Sequence, residues 1–250
     1  MTQDIGYDVV IPTVGRASLG MLLDSLGASD GPPPREVLVV DDRPGPPRPL
    51  RVAVPDALAG RSVLLHAFGR GPAGARNAGW RAARSPWVVF LDDDVVVPAR
   101  WRTALARDLT DLPPRVVGCQ GGVHVPLAPD RRPTDWERNV AGLEGARWAT
   151  ADLAYRRAAL QAVGGFDERF PRAYREDTDL GLRLAARGLR IVKGARTVQH
   201  PVAPAGRWVS VRRQAGNADD ALMRALHGRS WRERAGAPRG RLARHVAITV

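Results

Sequence analysis

The sequence predicts an α/β fold, with a mostly parallel central sheet flanked by helices and a basic helical tail at the C-terminal end. Three observations carry this. Short β-branched apolar runs alternate with stretches of helical periodicity. The runs are apolar throughout rather than at every second residue, as strands covered on both faces are. Acidic or glycine-rich turns recur just after the runs, and in open α/β sheets ligands bind at that carboxyl edge.

In chain order, YDVVIPTV (Tyr7 to Val14) reads as a first strand. ASLGMLLDSLG then places Leu19, Leu22, Leu23 and Leu26 at helical spacing, with Gly27 as the expected C-cap. EVLVVDD is a second strand that ends in Asp41 and Asp42, and RPGPPRP a rigid polar loop. SVLLHAF is a third strand. GPAGARNAGWRAAR is a glycine-rich turn running into a helix, and PWVVFLDDD a fourth strand. PARWRTALARDL is a helix with a proline near its start. Residues 111–135 are rich in Pro, Gly and Arg and read as loop and turn, with a pair of short strands in VVGCQGGVHV. ADLAYRRAALQAVGGFDERF reads as strand, helix and Gly-Gly turn. REDTDLGLRLAARGLRIV is an acidic helix start, an apolar face at Leu180 and Leu184, a stop at Gly188 and a further strand.

From Pro201 onward the chain is a basic tail. One stretch of it, NADDALMRALHG, is an amphipathic helix with Asp219 and Asp220 near its N-terminus. The organisation expected is therefore one domain over residues 1–200 and a tail over 201–250. Within the domain, residues 1–110 form a first half and 111–200 a second. The closing RHVAITV is apolar and carries no stop signal, so further chain is expected after it.

The chain has 250 residues, 44% of them hydrophobic, which suits one fairly large domain with a proper core. Its single cysteine, Cys119, excludes an intrachain disulfide and fits a reducing compartment. The start, MTQDIGYD, lacks the basic-then-apolar pattern of a signal peptide, and no apolar run reaches membrane-span length. A soluble cytoplasmic protein is expected. The net charge of +12 is almost all arginine, Lys193 being the sole lysine. This suits either the codon bias of a GC-rich genome or an anionic partner, and charge alone does not choose.

Four motifs carry chemistry. Asp92-Asp93-Asp94 contains D-x-D at a strand end, where two carboxylates can grip one hard divalent cation. Gly69 to Gly74 match G-x-G-x-x-G between a strand and a helix, a dinucleotide fingerprint. Against that reading, a whole strand–helix–strand layer precedes it, Pro72 removes a backbone donor, and the acid that follows is a triplet. Arg76 and Asn77, at the start of that helix, are still placed to face a phosphate. Glu176-Asp177-Thr178-Asp179 opens a helix, where acids complement the dipole and Asp179 can pair with Arg183. His200 closes a strand and is the best candidate for a third metal ligand, ahead of His66 and His124.

As an ordered set, VVIPTVGR, VVDD, GPAGARNAG, FLDDD and VGGFDERF-then-REDTDLGLRL resemble the family 2 glycosyltransferases of the GT-A fold. The resemblance covers residues 7 to 200. It implies an inverting, metal-dependent transfer of a sugar from a nucleotide-diphosphate sugar to a hydroxyl acceptor. On that pattern Pro12, Thr13 and Arg16 line the nucleotide pocket, Asp41 contacts the base and Arg76 the nucleotide or its phosphates. Asp92 lies near the ribose, with Asp93 beside it on the substrate side. Asp94 binds Mg²⁺ or Mn²⁺, and His200 matches a metal-ligand position of some members. Asp177 is the catalytic base, with Glu176 next to it. Two places depart from the pattern. Arg43-Pro44 follow the second-strand acid, and Asp152 stands where asparagine or another polar residue is common.

Other classes stay open at this point. A nucleotidyltransferase would also use metal and an α/β sheet, but its activating loop is glycine- and lysine-rich, unlike VGRAS after the first strand. A dinucleotide-binding oxidoreductase would use Gly69 to Gly74. A non-catalytic module would hold nucleic acid on the basic tail, although no nucleic-acid partner is expected. The tail's arginines with Trp208 and Trp231 fit equally a peripheral contact with an anionic lipid surface or a lipid-linked acceptor.

Overall fold

The computed structural model describes residues 5–206, 209 and 216–237. The first half runs β1 (Tyr7–Thr13), α1 (Ser18–Ala28), β2 (Val37–Asp41), α2 (Asp56–Ala59), β3 (Ser62–His66), α3 (Gly71–Ala82), β4 (Trp87–Leu91) and α4 (Trp101–Leu109). The second runs β5 (Val116–His124), α5 (Asp135–Ala141), a 3-10 turn (Gly142–Gly145), β6 (Asp152–Arg156), α6 (Arg157–Val163), α7 (Glu176–Ala185) and β7 (Arg190–Gln199). Two tail helices follow, α8 (Asn217–His227) and α9 (Trp231–Ala235).

The strands form one seven-stranded sheet in the order β3-β2-β1-β4-β6-β5-β7. All pairings are parallel except those of β6, which runs antiparallel to β4 and β5. The reversal has a consequence for the site. It sets the start of β6 opposite the end of β4, with Asp152 paired to Leu91. One sheet face is covered by α1 and α4 through Leu19, Leu22, Leu26, Trp101 and Leu105. The other is covered by α3, α7 and the tail helices through Trp80, Leu180, Leu184, Met223 and Trp231. Each such side chain contributes roughly 1.5–3 kcal/mol by leaving water.

Some local expectations change. Gly27 does not cap α1, which continues to Ala28. Its missing side chain instead leaves room for Pro55, whose Cβ would lie 3.2 Å from an added methyl. VVGCQGGVHV is one nine-residue strand with bulges, not a strand pair. At the end of the loop-rich stretch the chain forms α5, announced by a capping box in which Thr134 and Glu137 satisfy each other's backbone N–H groups. The strands are not all covered on both faces: β3 ends the sheet order, and its Leu64 is 45% exposed.

The tail packs against the domain. Met223 and Trp231 are buried, and Trp231 lies against the guanidinium groups of Arg175 and Arg232 at 4.9 and 4.5 Å. Trp231 is thus a core residue and is not presented to a lipid surface; Trp208 and the closing RHVAITV lie outside the described residues. Side-chain contacts join α8 to the segment before and within α7: the ion pairs Arg172–Asp219 (3.2 Å) and Arg175–Asp220 (2.8 Å), and a hydrogen bond between His227 Nε2 and Asp179 Oδ1 (2.8 Å). Among the described residues, no helix is long and apolar enough to cross a membrane.

Candidate active site

The carboxyl ends of β1, β2 and β4 and the end of β7 meet at one edge. Asp92 to Asp94 leave β4 there, just past its last paired residue. An isolated two-way bridge, Val96 to Gln199 with N···O distances of 2.8 and 2.9 Å, ties the chain after the triplet to the end of β7. That bridge brings His200 to Asp94.

The three aspartates point three ways, which answers why like charges tolerate adjacency. Asp92 accepts from Arg76 Nη2 at 2.9 Å. Asp93 is buried and turned inward, accepting from the Thr13 hydroxyl at 2.6 Å and from Arg16 Nη1 at 2.8 Å. Asp94 meets His200 Nε2 at 3.1 Å on one oxygen and Arg16 Nη1 at 3.1 Å on the other. Burial opposes ionisation of Asp94, but His200 and then Arg16 hold its carboxyl below the ordinary value. The same contact raises His200, again against burial. Ligand atoms of Asp92, Asp94 and His200 lie within 4.8 Å of one another, so these side chains can converge on one ion. Two carboxylates and an imidazole suit a divalent first-row ion such as Mn²⁺, since Mg²⁺ favours an all-oxygen set. His66 and His124 are elsewhere, 3.7 Å from Asp41 and 3.2 Å from Glu144.

The second cluster is built by α3 and α7. Arg76 is buried and donates to Glu176 Oε1 at 2.8 Å as well as to Asp92. Burial pushes Glu176 up to about 8, with the charge of Asp177 adding to the effect and Arg76 opposing it. Asp177 is half-buried and also raised, by burial first, while Arg76 and the Thr178 backbone pull the other way. Its Oδ1 accepts the Thr178 N–H at 2.6 Å.

Asn77 does not face a phosphate. It is buried, and its amide clips the Gly-Gly turn onto α3. Nδ2 donates to the Phe166 carbonyl and to Glu168, both at 2.8 Å, and Oδ1 accepts the Phe166 N–H at 2.9 Å. Gly165 there has φ +76°, and any side chain would collide with Asn77 and Trp80.

Asp41 already has an intramolecular partner. Arg43, one of the departures seen in the sequence, grips both its oxygens, with Nη2 at 2.6 Å. The other departure, Asp152, is wholly buried. It accepts from Trp101 Nε1 and Arg196 Nε, each at 2.8 Å, and Arg196 also pairs with Asp108 at 3.0 Å. Neither Arg196 nor Asp108 is marked by any motif. In the glycine loop, Asp42 accepts the Arg70 N–H at 2.8 Å, and the amides of Gly69 and Gly71 also point to it. A protein carboxylate thus takes the place a pyrophosphate would occupy, which argues against the dinucleotide reading. Pro12 is half-buried at the end of β1, beside these groups.

Comparison with known proteins identifies the family. Residues 8–163 match the family described as Glycosyl transferase family 2. The chain belongs to that family. It is 32% identical over 205 residues to the pre-mycofactocin glycosyltransferase of Mycobacterium tuberculosis, covering 73% of this chain and 40% of that protein. It is 30% identical over 220 residues to the O-antigen biosynthesis protein RfbC of Myxococcus xanthus, covering 76% and 16%. The chain therefore spans two fifths or less of these curated relatives. Its GT-A fold is shared with the mannosyltransferase PcManGT of Pyrobaculum calidifontis in complex with GDP-Man and Mn²⁺. There the TM-score is 0.55 and the identity 24%, over 86% of this chain and 64% of that one. S. aureus TarS 1-349 in complex with UDP gives the same TM-score at 18% identity, over 80% and 61%.

Proposed function

We propose that this chain is an inverting glycosyltransferase, moving a sugar from a nucleotide-diphosphate sugar to a hydroxyl acceptor. One observation carries the reading. The Asp92–Asp94–His200 cluster and the Glu176–Asp177 pair are joined through a single buried guanidinium, that of Arg76, which donates to Asp92 and to Glu176.

Asp92, Asp94 and His200 would hold Mg²⁺ or, by ligand type, preferably Mn²⁺. A bound divalent ion supplies neutralising charge to the diphosphate without any proton transfer. Arg76 adds fixed positive charge on the same side, in a buried place where it costs no reorganisation during reaction. Thr13 and Arg16 orient the triplet through Asp93. Asp177 accepts the acceptor's hydroxyl proton as that oxygen bonds to the anomeric carbon. The bond from that carbon to the diphosphate breaks on the far face, so the configuration inverts. Glu176 has its Oε1 taken by Arg76 at 2.8 Å, which leaves this role to Asp177.

Asp41 remains the candidate for the base, through the ion pair with Arg43 rather than as a free carboxylate. The structural relatives hold GDP-Man and UDP, so GDP- and UDP-sugars are the donors to try first. Saccharide or lipid-linked saccharide acceptors fit relatives named for O-antigen and succinoglycan biosynthesis, and a small metabolite fits the pre-mycofactocin relative.

The test is a thermal-shift panel of UDP-, GDP-, dTDP- and CMP-sugars, each with Mn²⁺ or with EDTA. Stabilisation by one nucleotide, lost in EDTA, is expected. Folded protein that responds to none of them overturns the donor assignment.

A further inference from the structure

Arg16 raises a question of charge balance. Each member of the aspartate triplet already has a cationic partner. Asp92 has Arg76, Asp93 has Arg16, and Asp94 has both Arg16 and His200. A divalent ion entering this site alone meets carboxylates that already have partners. It also meets Arg16 on the same Asp94 carboxylate that it needs. The two cations compete for one anion, and like charges at contact distance repel.

Arg76 and Arg16 differ in their freedom to yield. Arg76 is buried and held at both ends, whereas the Arg16 side chain is 53% exposed. Arg16 also stands one residue before Ala17, the N-cap of α1, whose first turn has neither an acidic residue nor a side-chain cap. The Leu19 and Gly20 N–H groups of that turn already bond the Arg16 and Ala17 carbonyls, so the freed guanidinium is the donor on offer to phosphate oxygens.

We infer that Arg16 is an exchangeable counter-ion of the metal site. It neutralises Asp93 and Asp94 before the donor arrives, and moves to the donor's diphosphate when the ion takes Asp94. The inference rests on the metal and donor reading given above, and it adds a coupling. The ion by itself binds weakly, and the diphosphate strengthens ion binding by drawing Arg16 away as well as by supplying ligand oxygens. Reciprocity requires the ion to strengthen donor binding by the same factor.

The test is Mn²⁺ alone, titrated into wild type, Arg16→Gln, Arg16→Lys and Asp94→Asn, with free Mn²⁺ read from its paramagnetic resonance signal. Arg16→Gln is expected to bind Mn²⁺ about fivefold more tightly than wild type, the size of one half-exposed ion pair. Arg16→Lys, which keeps the charge, is expected to stay near wild type. At saturating Mn²⁺, whichever of UDP or GDP stabilises the wild type should stabilise Arg16→Gln less. Opposite signs for ion and nucleotide are the signature, because a variant that merely loosened the site would weaken both. If Arg16→Gln binds Mn²⁺ no more tightly while Asp94→Asn abolishes binding, the exchange is overturned and the metal site stands. Tighter Mn²⁺ binding with undiminished nucleotide stabilisation also overturns the exchange. If Asp94→Asn leaves Mn²⁺ binding unchanged, the metal reading itself fails.

Discussion

Arg76 donates to the Glu176 carboxylate at 2.8 Å across 100 residues of chain. The pair joins the middle of α3 to the start of α7. Through its other arm Arg76 reaches Asp92, so one guanidinium couples the two halves of the site. Arg76 Nε and Glu176 Oε2 are buried without a hydrogen-bond partner, and a group that satisfied either would gain the full value of that bond. Removing the guanidinium leaves the buried Glu176 carboxyl and the Asp92 carboxylate without their shared donor. Arg76→Met is therefore expected to cost about 1–3 kcal/mol in urea unfolding. Adding Glu176→Gln should restore part of the loss, and a purely additive double mutant would contradict the pairing.

The raised Glu176 sets a pH dependence whose sign is fixed. Above the ordinary glutamate value of 4.5 the unfolded chain releases this proton, while the folded chain keeps it to about 8. The native state then binds more protons than the unfolded one. Stability from this group falls as pH rises through that window, by at most about 1.4 kcal/mol per pH unit. In Glu176→Gln this slope should vanish, read from urea midpoints measured between pH 5 and pH 8. An unchanged slope would place the proton elsewhere.

Asp177→Asn keeps size and hydrogen bonding but cannot take a proton. Transfer should slow by roughly 10²–10⁴, the usual worth of a general base. Donor-induced thermal stabilisation should persist. Its loss with the fold intact would make Asp177 a binding residue instead.

Asp94→Ala removes one of the three converging ligands and the main partner of His200. Metal-dependent turnover should fall by about a hundredfold or more, since even outer-shell changes cost 10–100-fold. Circular dichroism should show the fold unchanged, because Asp94 is only half-buried. Wild-type rates in this variant would sink the D-x-D assignment.

Asp220 anchors the tail to the base segment through Arg175, whose backbone sits at φ +77° directly before Glu176. A non-glycine residue in that region is strained by about 1–3 kcal/mol, and its surroundings must hold it there. Asp220→Ala is thus expected to lower kcat several-fold while leaving KM for the donor nearly unchanged. Arg175→Gly removes the strain and the anchor together, so it should lose less stability than Arg175→Ala in the same assay. Equal losses would show that the φ strain is not what the anchor opposes.

How much of this was legible beforehand depended on the range of the interactions. The strands and helices were read from local burial patterns. Val9 to Ile11, Val37 to Val40 and Val88 to Leu91 are buried because the run itself is apolar. The edge where the site lies followed too, since Thr13, Asp41 and Asp92 each stand at the end of a recognisable strand. Among the described residues, His200 is the histidine whose ring converges with Asp92 and Asp94.

Partnerships over long sequence separation were a different matter. Nothing in TADLAYRR says that Asp152 is closed off by Arg196 and Trp101, and nothing in NADDALMRALHG says that Asp220 meets Arg175. A period of 2 or 3.6 residues encodes which face is buried, not which charge on another element will lie against it. The sequence by itself determined the alternation of strands and helices, the family and the residue types at the ligand edge. The tertiary structure alone decided that β6 runs backwards, that Arg43 grips Asp41, and that Arg16 and His200 share Asp94. Those pairings form only when sheet order and helix docking bring distant charges within 3–4 Å, where desolvation makes an unpaired charge costly and a partnered one stable.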